Sequence, residues 1–226
     1  EDIRSYLAYG SVLSDAKDYA AMAENYDKAI EIIGPNPARN HWSVFFQRGI
    51  AYERLKEWPM AEPNFKQALE LFPNQPQVLN YLGYSWVDQG VNLVEALQMI
   101  EKAVAAAPND GYIIDSLGWA YYRLGRYDEA VETLERAVML KPNDPEINDH
   151  LGDAYWRVGR KLEATYQWKR ALASEVTCSS WRPYLVGAPL RSTAGSGART
   201  RGGELGRLAA HRGASRPLAR QQAGGQ

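Results

Sequence analysis

Cysteine is nearly absent from this chain of 226 residues, and Cys178 stands alone. An internal disulfide and a multi-cysteine metal site are thereby excluded, while the compartment stays open, because proteins without disulfides live in either redox environment. Histidine is almost as scarce. His41, His150 and His211 are the full set, and none is spaced from a second His or Cys as metal ligands are. No apolar run approaches the roughly 18–20 residues needed to span a bilayer. A phosphate-cradling glycine loop is also missing. No Met opens the sequence and no signal peptide precedes EDIRSYLAYG, which already reads as helix. The expectation is a fragment or processed form that has lost any address label.

The charge balance of −1 joins two unlike parts. Residues 1–174 carry 18 Lys+Arg against 25 Asp+Glu, a charge of −7, whereas residues 175–226 carry 8 Arg and 2 Glu, a charge of +6. Nothing in the acidic part suggests a binder of phosphate backbones.

What is abundant is self-similarity. LGYSWVDQG (82–90), LGWAYYRLGR (117–126) and LGDAYWRVGR (151–160) align one beneath another. Gly83, Gly118 and Gly152 are followed three residues on by Trp86, Tyr121 and Tyr155, and seven residues on by Gly90, Gly125 and Gly159. Further along come Ala96, Ala130 and Ala164, then Ile100, Leu134 and Trp168, then Ala103, Ala137 and Ala171. Earlier copies keep the phase through Gly49, Tyr52, Ala61, Phe65, Ala68 and Pro73, and through Gly10, Tyr19, Tyr26 and Ala29, with Met22 in the place of an alanine. The units run about 3–36, 42–75, 76–110, 111–144 and 145–174. Residues 37–41 are a short insertion, and one extra residue falls near Val91–Asn92.

This period predicts an all-α chain of five helix pairs. Small residues let two antiparallel backbones approach, large residues three and four positions away fill the neighbouring grooves, and glycine ends each first helix. One pair cannot cover its own apolar face; several stacked pairs can. Pro63, four residues into a helix after Pro59, predicts a delayed start or a kink there.

The spacing, and in particular LNYLGYSWVDQG followed by DSLGWAYYRLGRYDEAVETLERAV, resembles the tetratricopeptide repeat (TPR) family and its bacterial arrays. The resemblance covers about three-quarters of the chain. It implies an α-solenoid, a right-handed superhelix whose concave groove is lined by the first helix of each pair and holds a peptide or protein. It therefore implies an interaction scaffold, with no cofactor. Mapped onto this sequence, the groove positions are Asn80, Tyr84 and Asp88 in the third unit. The fourth contributes Tyr112, Asp115, Trp119, Tyr122 and Arg123, and the fifth Glu146, Asp149, Asp153, Trp156 and Arg157. Phe46, Glu53 and Arg54 are the second unit's share. Members that bind chaperone tails hold a terminal carboxylate with Lys and Asn. The corresponding slots here are Asn80, Tyr84, Asp115, Trp119, Asp149 and Asp153, so the expected ligand is basic and apolar. Aromatics that merely pack on the adjacent helix are the alternative for Tyr84, Trp119 and Trp156.

Residues 175–226 break the period. Rich in Arg, Gly, Ala, Ser and Pro, they read either as a basic irregular tail able to bind nucleic acid or as the product of a frameshift or cloning junction. Trp181, Tyr184 and Leu185 are candidates to fold back on the last pair, and an uncapped last pair is a candidate for self-association. Catalysis is weakly indicated. Gly83-Tyr84-Ser85-Trp86-Val87 half-resembles the G-x-S-x-G turn of hydrolases, but Ser85 falls inside a predicted helix, at the packing position of Ala51, Ala120 and Ala154.

Overall fold

The computed structural model describes residues 2–177. They form ten α-helices: α1 (Ile3–Asp15), α2 (Tyr19–Ile33), α3 (Trp42–Arg54), α4 (Trp58–Leu71), α5 (Pro76–Gln89), α6 (Leu93–Ala106), α7 (Gly111–Arg123), α8 (Tyr127–Leu140), α9 (Pro145–Arg157) and α10 (Lys161–Thr177). Among the described residues there is no strand. Each odd-numbered helix packs on the even one that follows and on the last helix of the preceding pair, which makes an α-solenoid. The basic tail, its fold-back through Trp181, Tyr184 and Leu185, and its reading as a frameshift product lie outside the described residues.

The helix crossings show why the repeat glycines recur. A Cβ added to Gly10, Gly49, Gly83, Gly118 or Gly152 would lie under 3 Å from Tyr26, Phe65, Ile100, Leu134 or Trp168 respectively. Those five partners are the large residues that the period places one helix later. Each sits flush against bare backbone, and all are buried. Burying such a side chain contributes about 1.5–3 kcal/mol. Ala61, Ala96, Ala130 and Ala164 are likewise without solvent exposure. Met22, which stands in for that alanine in the first unit, is just as buried, so the first crossing takes a larger residue at the same depth.

Every first helix ends in the same way. Seven residues after the crossing glycine the chain takes a positive φ, at Lys17 (59°), Lys56 (66°), Gly90 (73°), Gly125 (78°) and Gly159 (84°). The next residue's N–H then bonds five residues back, as in Arg126 N–H to Tyr121 O at 2.9 Å and Glu57 N–H to Tyr52 O at 2.9 Å. This closure satisfies carbonyls that the helix end would otherwise leave open. Helix starts are also marked. Asp2, Asp18, Asp110 and Asp144 cap with their carboxylates, and Pro76 and Pro145 open α5 and α9.

Both insertions are absorbed in turns. Residues Arg39–His41 form a single 3-10 turn ahead of α3. The extra residue before α6 is taken up at Asn92, which adopts φ 47° as N-cap, a conformation that Asn tolerates. The delayed start expected from Pro63 does not occur. α4 begins at Trp58, nine residues after its crossing glycine, as α8 does at Tyr127. Pro63 lies on the exposed side, and the carbonyl that loses its donor belongs to Pro59 in the first turn, a residue that is also exposed.

Candidate partner-binding interface

The first helices α5, α7 and α9 touch one after another, and their side chains tie the three together. His150 of α9 is the hub. Its Nδ1 lies 3.0 Å from both carboxylate oxygens of Asp115 on α7. Its ring stacks on Trp119, centroids 4.2 Å apart and 13° from parallel, and Trp119 stacks in turn on Tyr122 at 4.7 Å and 7°. Burial alone would drive the imidazole toward neutrality. The Asp115 carboxylate more than offsets it and pushes the His150 pKa up to about 9. At neutral pH the pair is therefore an imidazolium against a carboxylate, with the cation lying over an indole face.

A second tie skips a unit. The Tyr84 hydroxyl of α5 donates to Glu146 Oε1 of α9 at 3.1 Å, across 62 residues of sequence. Burial, with the nearby Glu146 carboxylate, holds the Tyr84 phenol well above its ordinary range, and burial also raises Glu146. A third tie joins α7 to α5, where Arg123 Nη1 donates to the Asp88 carbonyl at 2.9 Å.

Several expected groove residues are thus already engaged. Asp115 is 3% exposed and belongs to His150, and Asp153 is buried and accepts from Trp168 Nε1 at 3.1 Å. Asn80 is also buried, with no partner for its Oδ1. Trp119 is half-buried between Tyr122 and His150, and its Nε1 meets no acceptor. Trp156 is half-buried and leans on Trp168, centroids 5.6 Å apart, with Lys161 Nζ 5.3 Å above its ring. Tyr112 is half-buried beneath Lys141, whose Nζ is 4.8 Å from the ring centroid. Asp88 and Arg157 are exposed, with the Arg157 guanidinium 4.1 Å from the Tyr127 ring, and Asp149 is half-buried.

The second unit's residues are also engaged. Phe46 is a core residue, 5.7 Å from Tyr81 and 6.0 Å from Phe65 between ring centroids. Glu53 and Arg54 lie 3.5 Å apart, and Glu53 accepts from the Tyr81 hydroxyl at 3.2 Å. Ser85 is half-buried and no hydrogen bond joins it to His150 among the described residues. Nor do the described residues bring three or more His, Cys, Asp or Glu together as a metal would require. None of their helices is long and apolar enough to cross a membrane.

His150 is the linking residue of this face that scarcity made easy to dismiss. A lone histidine suggested no ligand set. Its signal was a polar residue at a core-facing position, two before the crossing glycine, where the sister units have Ser116 and Tyr81.

Comparison with known proteins gives three family matches: a TPR repeat model over residues 118–159, and tetratricopeptide repeat models over 42–75 and 3–35. A TPR repeat-containing protein of Pseudomonas aeruginosa is 31% identical over 84 residues, a stretch that covers 37% of this chain and only 14% of that relative's length. PilF of Pseudomonas aeruginosa superposes with a TM-score of 0.65 at 17% identity, over 76% of each chain. MamA from Desulfovibrio magneticus RS-1, residues 41 to its end, gives 0.62 at 22% identity, over 79% of this chain and 97% of that one. At these identities the structural likeness concerns the fold.

Proposed function

Because the chain belongs to the tetratricopeptide-repeat family, we propose that it binds an extended or helical segment of a partner protein along the face lined by α5, α7 and α9. In the coarser sense the repeats make it a protein-interaction scaffold. The observation that carries the finer reading is the concentration on one face of half-buried aromatic rings, Tyr84, Tyr112, Trp119, Tyr122 and Trp156, among Asp88, Asp149 and Arg157. Aromatics give large contact area at small entropic cost, and ions beside them select orientation. Trp119 is held by His150, Tyr122 by Trp119, Trp156 by Trp168 and Tyr84 by Glu146, so little ordering is needed when a partner arrives.

The partner has basic and apolar character. Its support is the acidic balance of residues 1–174 and the absence of the Lys and Asn set that would hold a carboxylate. Selection of a random-peptide library on the full chain tests the face directly. Binding of the selected peptides should fall about tenfold or more in Trp156→Ala and Arg157→Ala, and stay unchanged in Val94→Ser or Met139→Ser, which are exposed on second helices. Equal loss in both sets, or loss in neither, refutes the assignment.

Self-association through the last pair is a second proposed contact, supported by Leu162 and Leu172, which stay exposed on α10. Light scattering that shows only monomer at high concentration would refute it.

A further inference from the structure

Glu146 stands apart from the other carboxylates of the first-helix face. Asp115 is matched by the His150 imidazolium, and Asp153 receives the Trp168 indole N–H. Glu146 is half-buried, yet the donor bonded to it is the neutral Tyr84 phenol at 3.1 Å. The His150 cation lies one turn further along α9, but Asp115 already compensates it. A phenol supplies one O–H and no positive charge, whereas a carboxylate can accept about four hydrogen bonds, so a partly desolvated Glu146 is left under-compensated. Its raised affinity for a proton has the same origin, with burial as the larger cause.

A second observation points the same way. Asn80 lies one turn before Tyr84 on the same face of α5 and is only 5% exposed, and its Oδ1 accepts nothing. Side chains four residues apart share a helix face. An acceptor buried without a donor costs free energy until one arrives. The tie between Tyr84 and Glu146 thus has a vacant acceptor on one side of it and an under-compensated carboxylate at its end.

We propose that Glu146 and Asn80 Oδ1 together receive one lysine or arginine side chain of the bound segment. The Tyr84 hydroxyl holds Glu146 in the empty protein and yields it on binding. This rests on the reading that the first-helix face binds a protein segment, and it names what anchors that segment. An ammonium carries three donors and a guanidinium five, so either can serve a carboxylate and an amide oxygen at once, which a single phenol O–H cannot. The guest also brings a full positive charge to Glu146, whose charged neighbours are the His150 cation, already matched by Asp115, and the carboxylates of Asp115 and Asp144. A carboxylate-bearing guest would meet repulsion at the same point.

A random-peptide library selected in parallel on the full chain and on Glu146→Gln, an isosteric change, tests this. The parent should enrich peptides with Lys or Arg at one fixed position. Glu146→Gln should lose that enrichment and bind the parent's peptides about tenfold more weakly. Exchanging the fixed basic residue for norleucine should weaken binding to the parent, with little further effect in Glu146→Gln. Tyr84→Phe, which removes the competing hydroxyl, should keep the basic preference and bind at least as tightly. Circular dichroism confirms that each variant is folded. Peptides without a fixed basic position, or equal binding to Glu146→Gln, overturn the anchor, while sensitivity to Trp156→Ala and Arg157→Ala leaves the binding face standing. Failure to enrich any peptide, or insensitivity to all four variants, overturns both.

Discussion

Replacing Lys56 by glycine should stabilise this protein, although it deletes a side chain and a charge. Five first helices end in one closure, and three of them place glycine at the residue with positive φ; Lys17 and Lys56 take the same conformation at 59° and 66°. A residue with a Cβ is penalised there by about 1–2 kcal/mol. Against this, glycine loosens the unfolded chain at a cost of roughly 0.5–1 kcal/mol. The ion pair to be lost, Lys56 Nζ to Glu53 Oε1 at 3.9 Å, is highly exposed on the lysine side and contributes little. The net expectation is a gain of about 0.5–1 kcal/mol at each site, and additive gains in Lys17→Gly/Lys56→Gly, because the two sites lie in different units. The reverse change, Gly125→Ala at φ 78°, should cost about 0.5–1 kcal/mol by the same reckoning. Urea titration followed by circular dichroism reads both, with midpoints compared within one series because arrays of this kind need not unfold in a single step. A lowered midpoint for Lys56→Gly together with an unchanged one for Gly125→Ala would refute the claim that a shared backbone closure sets these turns.

Two other expectations can be checked with the same titration. Gly118→Ala would put a methyl carbon 2.5 Å from Leu134 Cγ at the α7–α8 crossing and should destabilise by about 2–3 kcal/mol, seen as an earlier loss of helix. The His150–Asp115 pair gives stability an alkaline limb. Because the folded pKa of about 9 exceeds the ordinary 6.5, the contribution is complete below pH 6.5 and is lost as pH rises through 9. Its size is on the order of 3 kcal/mol. Midpoints measured from pH 6 to 10 should fall across that window in the parent and stay flat in Asp115→Asn.

Much of the fold was legible because each crossing writes itself locally. A glycine, a large residue about sixteen positions on, and a left-handed turn seven positions after the glycine lie within a single hairpin. Insertions at 37–41 and near Asn92 were visible as interruptions of that local record. Pro63 misled about where α4 starts, because sequence shows that a donor is lost but not that the loss falls at an exposed residue of the first turn. The site was only partly legible. Tyr84, Trp119 and Trp156 meet Glu146, His150 and Trp168 of neighbouring helices, the packing given as the alternative, and Asp115 and Asp153 are committed to His150 and Trp168. The Asp115–His150 pair joins two hairpins, and its geometry follows from how one is rotated on the next, whereas Asp153–Trp168 lies within the last hairpin. Phe46 was misplaced for a related reason. At the start of the array the aromatic residues Phe65 and Tyr81 converge on it and draw it inward.

The Tyr84–Glu146 contact has a consequence for how the chain assembles. Most helix contacts here join consecutive helices, the low-contact-order topology that forms quickly and can begin at many points. A bond that reaches 62 residues must wait until α7 and α8 are already seated between its ends. The phenol therefore acts as a completion mark. In a refolding experiment the difference in ultraviolet absorbance between the parent and Tyr84→Phe, which isolates this phenol among 14 tyrosines, should develop after the bulk of the helix signal has returned, timing the moment when three separate hairpins become one block.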